Sequence, residues 1–140
     1  MFADASENRA KILVVDDDAS TRTILRKMLI KDGWRVEEAK HGKDAVQCVE
    51  NEKPELILLD LLMPVMDGFE FLNVVKASNE WNKIPIIVIT SKDLTESDYS
   101  FLTANVDRII QKGKYTRNEL IKRIDTAIKE SNLQVYMKGH

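Results

Sequence analysis

Apolar positions along the chain gather into three short unbroken runs: Ile12-Leu13-Val14-Val15, Leu56-Ile57-Leu58-Leu59 and Ile86-Ile87-Val88-Ile89. None alternates with polar residues. Runs of this length suit strands buried on both faces, as in a parallel sheet. Residues 35–39 and 107–111 are weaker strand candidates. Between the runs lie helical patterns. Ile24, Leu25, Met28 and Leu29 recur at three- and four-residue spacing, and Gly33 follows as a stop signal. Residues 43–52 carry Ala45, Val46 and Val49 and stop before Pro54. Residues 68–78 carry Phe69, Phe71, Leu72 and Val75, and 95–104 form a shorter, weaker helix. Leu120, Ile121, Ile124, Ala127 and Ile128 line a last helix. The β-α order repeats five times, which predicts an α/β domain: a single five-stranded parallel sheet with helices on both faces.

Composition narrows the class. At roughly 150 residues per domain, 140 residues make one domain. Apolar residues are 44% and charged residues 31%, as in an ordinary globular protein. Lys plus Arg is 21 against 23 Asp plus Glu, a net charge of −2. With no basic excess and no recognition-helix motif, no nucleic-acid contact is expected. Cys48 stands alone, so no intramolecular disulfide forms, and it reads as a small half-buried helix residue. No apolar run nears the ~18 residues needed to span a bilayer, so no membrane contact and a cytoplasmic location are expected. Residues 1–9 are a polar lead. Residues 131–140 are a short tail in which Leu133 and Tyr136 prolong the last helix. Trp34 and Trp81 read as packing anchors, and His41 and His140 as exposed bystanders.

Ligands of open parallel sheets bind beyond the carboxyl ends of the strands. Here the first strand ends in Asp16-Asp17-Asp18, the third in Asp60, the fourth in Thr90-Ser91 and the fifth at Lys112. An acidic triplet in a loop is usually just solvated. An acid directly after four buried apolar residues is different, because a buried carboxylate must be paired, neutralised or bound to a metal. Hard oxygen ligands suit Mg²⁺. The five glycines, at 33, 42, 68, 113 and 139, form no phosphate-binding loop of the Walker type. A carboxylate can attack a phosphoryl group to form an aspartyl-phosphate. A metal, a threonine hydroxyl and an ammonium can then each hold one phosphoryl oxygen.

These residues resemble the receiver domain of bacterial two-component response regulators, including those attached to hybrid sensor proteins. The likeness lies in ILVVDDD at 12–18, LILLDLLMPVMDG at 56–68, IIVITS at 86–91 and the lysine of IIQKG at 109–113, and covers residues 10–130. It implies a flavodoxin-like (βα)5 fold with strand order 2-1-3-4-5. It also implies a phosphoacceptor role in a two-component system or phosphorelay, in which the domain promotes its own phosphorylation and dephosphorylation rather than turning over a substrate. Asp60 is then the phosphoacceptor, and Thr90 and Lys112 grip the phosphoryl oxygens. Asp16, Asp17, Asp60 and the backbone carbonyl of Leu62 are the implied Mg²⁺ ligands, and Asp18 is a surface residue or helix cap. The implied partners are a phosphohistidine donor, on a histidine kinase or histidine phosphotransfer protein, and a downstream protein target. The donor would dock against Ser20, Thr21, Ile24 and residues 112–114.

Four positions depart from the family pattern or tune it. Gly113 replaces the usual proline after the lysine, so a trans bond is expected at 112–113. Ile109 stands where many receivers carry Tyr or Phe. Leu62 and Lys92, two residues after the acceptor and the threonine, offer no polar group for orienting water and a long chain able to cover the phosphate, so slow self-dephosphorylation is expected. One alternative is an interaction module on the same fold that is never phosphorylated. Another is a haloacid-dehalogenase-like phosphatase, whose first motif Asp16, Asp18 and Ser20 match in spacing.

Overall fold

A computed structural model describes residues 10–138. Five strands and five helices alternate: β1 (Lys11–Val15), α1 (Ala19–Lys31), β2 (Arg35–Ala39), α2 (Gly42–Asn51), β3 (Leu56–Leu59), α3 (Gly68–Ala77), β4 (Ile86–Thr90), α4 (Glu96–Asn105), β5 (Arg108–Gln111) and α5 (Arg117–Lys138). The strands form one parallel sheet in the order β2-β1-β3-β4-β5. The helical tail runs through residue 138. The polar lead and His140 lie outside the described residues.

The three apolar runs are the three inner strands, and every residue of β1, β3 and β4 is buried. Successive side chains point to opposite faces, so each run feeds two cores at once. Leu13, Val15, Ile57, Leu59, Ile86 and Val88 face Ala45, Val49, Phe71, Leu72, Val75 and Leu102 of α2, α3 and α4. Ile12, Val14, Leu56, Leu58, Ile87 and Ile89 face Leu25, Leu29, Leu120, Ile124 and Ile128 of α1 and α5. Each fully buried Leu, Ile or Phe contributes roughly 1.5–3 kcal/mol. Trp34 and Trp81 are half-buried and pack against one core each, as anchors do. Cys48 is buried, and burial followed by the Glu37 carboxylate pushes its thiol up to about 12.

Polar contacts set the helix ends. Asp18 caps α1, accepting from the Ser20 N–H and the Thr21 hydroxyl. Thr95 and Asp98 form a reciprocal capping box at α4, and Thr116 and Glu119 exchange the same two bonds at α5. His41 corrects the bystander reading: it is half-buried and caps α2, its Nδ1 accepting from the Asp44 N–H at 3.1 Å. Lys11 was unremarkable in sequence yet is buried, with its ammonium on Glu37 and on the Glu52 carbonyl at 2.9 Å.

Three caps are carboxylates held below their ordinary range: Asp18 by the Thr21 hydroxyl and Ser20 N–H, Asp98 by Lys92 and the Thr95 N–H, and Glu119 by the Thr116 N–H and hydroxyl. A carboxylate depressed by folding stabilises the fold above its unfolded pKa, near 4, and loses that contribution as pH falls through its folded value. Urea unfolding between about pH 6 and about pH 2.5 should therefore show falling stability. The triple variant Asp18→Asn, Asp98→Asn, Glu119→Gln should lose less over that interval. An equal loss in the variant would remove these caps from the account.

Candidate functional site

The site follows from sheet register. Val15 pairs with Leu59 across β1 and β3, so the next residues, Asp16 and Asp60, leave the sheet side by side. The Asp60 N–H donates to the Val15 carbonyl at 2.9 Å, and the Asp16 N–H donates to the Ala39 carbonyl at 3.1 Å. Both acids are buried, at 3% and 4% exposure, whereas Asp17 is exposed. Carboxylate oxygens of Asp16, Asp17 and Asp60 all lie within 4.8 Å of one another. Thr90 is the buried last residue of β4. The Lys112 N–H donates to the Thr90 carbonyl at 2.9 Å, fixing the lysine just beyond β5. The Lys112 ammonium bridges the two buried acids, 2.9 Å from Asp16 Oδ2 and 3.4 Å from Asp60 Oδ2. Five of the six residues singled out in sequence thus converge at one sheet edge. The sixth, Leu62, lies two residues past Asp60 with its side chain 47% exposed. Its N–H is 3.4 Å from Asp60 Oδ1, which also takes the Leu61 N–H at 2.8 Å.

The electrostatics are those of a crowded anion site. Burial raises the Asp16 carboxyl above its ordinary range and the charge of Asp60 adds to it, against the lowering effect of the Asp18 N–H and Lys112. Burial pulls the Lys112 ammonium down, but the hydrogen bond it donates to Asp16 and the charges of Asp60 and Asp16 outweigh it, and the net shift is upward. Three carboxylate oxygens with one cation beside them are a donor set of hard oxygens, which fits a Mg²⁺ ion that keeps several of its waters.

The loop from Asp60 to α3 is tightly built. Val65 has φ 68°, in the left-handed region that a β-branched residue rarely enters. The Met66 N–H closes a tight turn onto the Pro64 carbonyl at 2.7 Å. Asp67 and Glu70 form a capping box that opens α3. Gly68 packs directly under the acceptor: a β-carbon there would lie 2.5 Å from the Asp60 carbonyl oxygen and 2.7 Å from Leu61 Cα.

The departures have visible consequences. No cis bond is present among the described residues, so 112–113 is trans as expected, and Gly113 takes φ +77°, which a proline cannot adopt. Ile109 packs partly buried against the α2–α3–α4 core. Lys92, read as a long chain able to cover the phosphate, is engaged with α4 here. Its N–H donates to Thr90 Oγ1 at 3.1 Å, but its ammonium is drawn to Asp98 of α4 at 2.9 Å and lies 6.0 Å over the Phe69 ring. Asp18, which a phosphatase of the haloacid-dehalogenase type would need beside Asp16, is exposed and engaged in capping α1. Beside the site a groove of about 390 Å³ is lined by Thr21, Ile24, Leu25, Met28, Lys112 and Tyr115, among others. Ile24 is 61% exposed there. Ser20 and Ser91 are exposed and small.

Comparison with known proteins agrees with this geometry. The model of the response regulator receiver domain family matches residues 12–125. Response regulator MprA of Mycobacterium ulcerans is 31% identical over 124 residues, covering 89% of this chain and 52% of that protein. The chain thus spans about half the length of the curated relatives it matches. The N-terminal domain of a response regulator receiver protein from Methanoculleus marisnigri is similar in structure, with TM-score 0.69 and 30% identity over 84% of this chain and 94% of that one. A CheY-like receiver domain protein from Methanospirillum hungatei superposes with TM-score 0.81 at 25% identity, covering 90% and 98%.

Because the two nearest neighbours of Gly68 are backbone atoms, no rotamer change can make room for a methyl group. Gly68→Ala should cost roughly 1–3 kcal/mol of stability by urea unfolding and displace the Asp60 peptide. Unchanged stability would mean that the contact yields freely.

Proposed function

The chain belongs to the response regulator receiver domain family, a phosphoacceptor signalling module, and on that footing we propose that Asp60 is the residue that takes the phosphoryl group. The observation that carries this reading is the meeting of Asp16, Asp17 and Asp60 with Lys112 at the carboxyl edge of the sheet. Residues 10–130 carry the function. Asp16, Asp17 and Asp60, with the Leu62 carbonyl, would hold Mg²⁺. Bound there, the ion supplies positive charge to neutralise phosphoryl oxygens.

In the transfer, an Asp60 carboxylate oxygen attacks the phosphorus of a donor phosphohistidine. The new O–P bond forms as the P–N bond breaks. The electron pair stays on the departing imidazole nitrogen, which takes a proton from solvent. Lys112 is 23% exposed and so can leave its two carboxylates to pair with a phosphoryl oxygen. Thr90 can donate its hydroxyl proton to another, since its oxygen only accepts from the Lys92 N–H. The donor, on a histidine kinase or histidine phosphotransfer protein, would enter over Ser20 and the groove beside Ile24. Output would pass to a downstream protein rather than to nucleic acid. Among the described residues no helix is long and apolar enough to cross a membrane, and a cytoplasmic setting suits a kinase-fed module.

Incubation with acetyl phosphate and Mg²⁺ should add the mass of one phosphoryl group, lost with a chelator and in Asp60→Ala. Absence of any adduct would instead favour a module that is never phosphorylated. Multiple turnover of a phosphate ester that needs Asp16 but not Asp60 would favour the phosphatase. Once phosphorylated, the protein should lose its phosphate slowly, because Leu62 cannot orient water. Leu62→Asn should shorten the half-life about tenfold or more. A half-life of seconds that Leu62→Asn leaves unchanged would overturn that explanation.

A further inference from the structure

Asp16 is held at every polar atom it has. Its N–H donates to the Ala39 carbonyl, its Oδ1 accepts from the Asp18 N–H at 2.9 Å, and its Oδ2 takes Lys112. The remaining atom, its backbone carbonyl oxygen, accepts from Arg22 Nη1 at 2.8 Å. Arg22 lies in α1 and its side chain is only 13% exposed. Its Nε is bonded to Glu38 Oε1 at 3.1 Å, and the other oxygen of Glu38 is paired with Arg26 at 3.2 Å. Glu38 directly precedes Ala39 in β2. The end of β2 therefore grips Asp16 twice, once through the Ala39 carbonyl and once through Glu38 and Arg22.

The position of the gripped atom matters. The Asp16 carbonyl belongs to the peptide unit that joins Asp16 to Asp17, and that unit is planar and stiff. Fixing its oxygen sets the direction in which Asp17 leaves, so one contact orients both members of the acid pair. A guanidinium fork can hold a carbonyl and a carboxylate at once; an ammonium is a compact point charge with no such fork.

We propose that Arg22, anchored by Glu38, is a positioning residue for the divalent-cation site: it presets the Asp16–Asp17 pair and does not touch the phosphoryl group. This inference rests on the metal reading given above. It also makes a prediction opposite in sign to simple electrostatics. A positive charge close to the acids repels a divalent cation, so if Arg22 acted only as a charge, removing it would tighten metal binding. If it acts by positioning, removing it loosens the acids and weakens binding.

The test is calorimetric titration of the full chain with Mg²⁺, together with acetyl phosphate labelling across a range of Mg²⁺ concentrations. Arg22→Ala should weaken Mg²⁺ binding about tenfold, the usual scale for losing an outer support of a metal ligand. At saturating Mg²⁺ its labelling rate should return to within about twofold of the unsubstituted protein. Arg22→Lys keeps the charge but cannot span both partners, and should fall between the two; it decides the matter if Arg22→Ala does not fold. Unchanged or tighter binding in the variants would overturn the proposal, as would a rate deficit that persists at saturation. Failure of the unsubstituted protein to bind Mg²⁺ would instead strike the metal reading itself. Normal binding by that protein with equal binding by both variants would remove only the role of Arg22.

Discussion

The parallel register of β1 and β3 sets Val15 against Leu59, and from that pairing Asp16 and Asp60 must emerge as neighbours, both nearly closed to solvent. Two carboxylates in that position repel each other and are poorly hydrated, a combination that proteins tolerate only with a compensating cation. Burial first, and the charge of Asp60 after it, raise the Asp16 carboxyl above its ordinary range. Much of the surrounding structure answers this crowding. Lys112 is tied by its own N–H to the Thr90 carbonyl and reaches both acids from the far side of β4. The site is thus a place where negative charge has been concentrated and incompletely neutralised. That is the condition under which an added divalent ion or a transferred phosphoryl group, with the ion beside it, changes local energetics by several kcal/mol.

The fold was legible where burial is symmetrical. β1, β3 and β4 are covered on both faces, so their sequences are unbroken apolar runs and their type and bounds could be read directly. The edge strands were harder because half of each is solvated. β2 contains Arg35, Glu37 and Glu38, and β5 contains Arg108 and Gln111, so neither shows a continuous run. The weak pattern of α4 has the same origin, since Leu102 is its one buried residue.

The candidate site was legible for a different reason. Its residues stand at strand ends, and strand ends can be read once strands can. What sequence could not display were contacts between distant side chains. Lys11 meeting Glu37, Lys92 turning to Asp98, His41 capping α2 and Arg22 reaching the Asp16 carbonyl all depend on directions in space. Each of these residue types, read alone, is indistinguishable from one on a solvated surface. Arg22 left only a faint signal: a long donor placed one turn into the helix that follows an acid pair.

Strain in the molecule is not evenly spread. Val65 at φ 68° costs roughly 1–2 kcal/mol relative to an ordinary conformation, and Gly68 is pressed against the acceptor's own carbonyl. Both sit in the loop that carries Asp60 and Leu62. Such a loop would relax unless its ends were over-determined, and they are. The Gly68 N–H returns to the Leu61 carbonyl at 3.1 Å, and the Gly42 N–H reaches across from α2 to the Met66 carbonyl at 2.8 Å. The Asp67–Glu70 box closes the far end. A loop held this way cannot adjust by small increments, because each relaxation breaks a bond elsewhere. A new charge on Asp60 therefore has few soft directions in which to be absorbed locally.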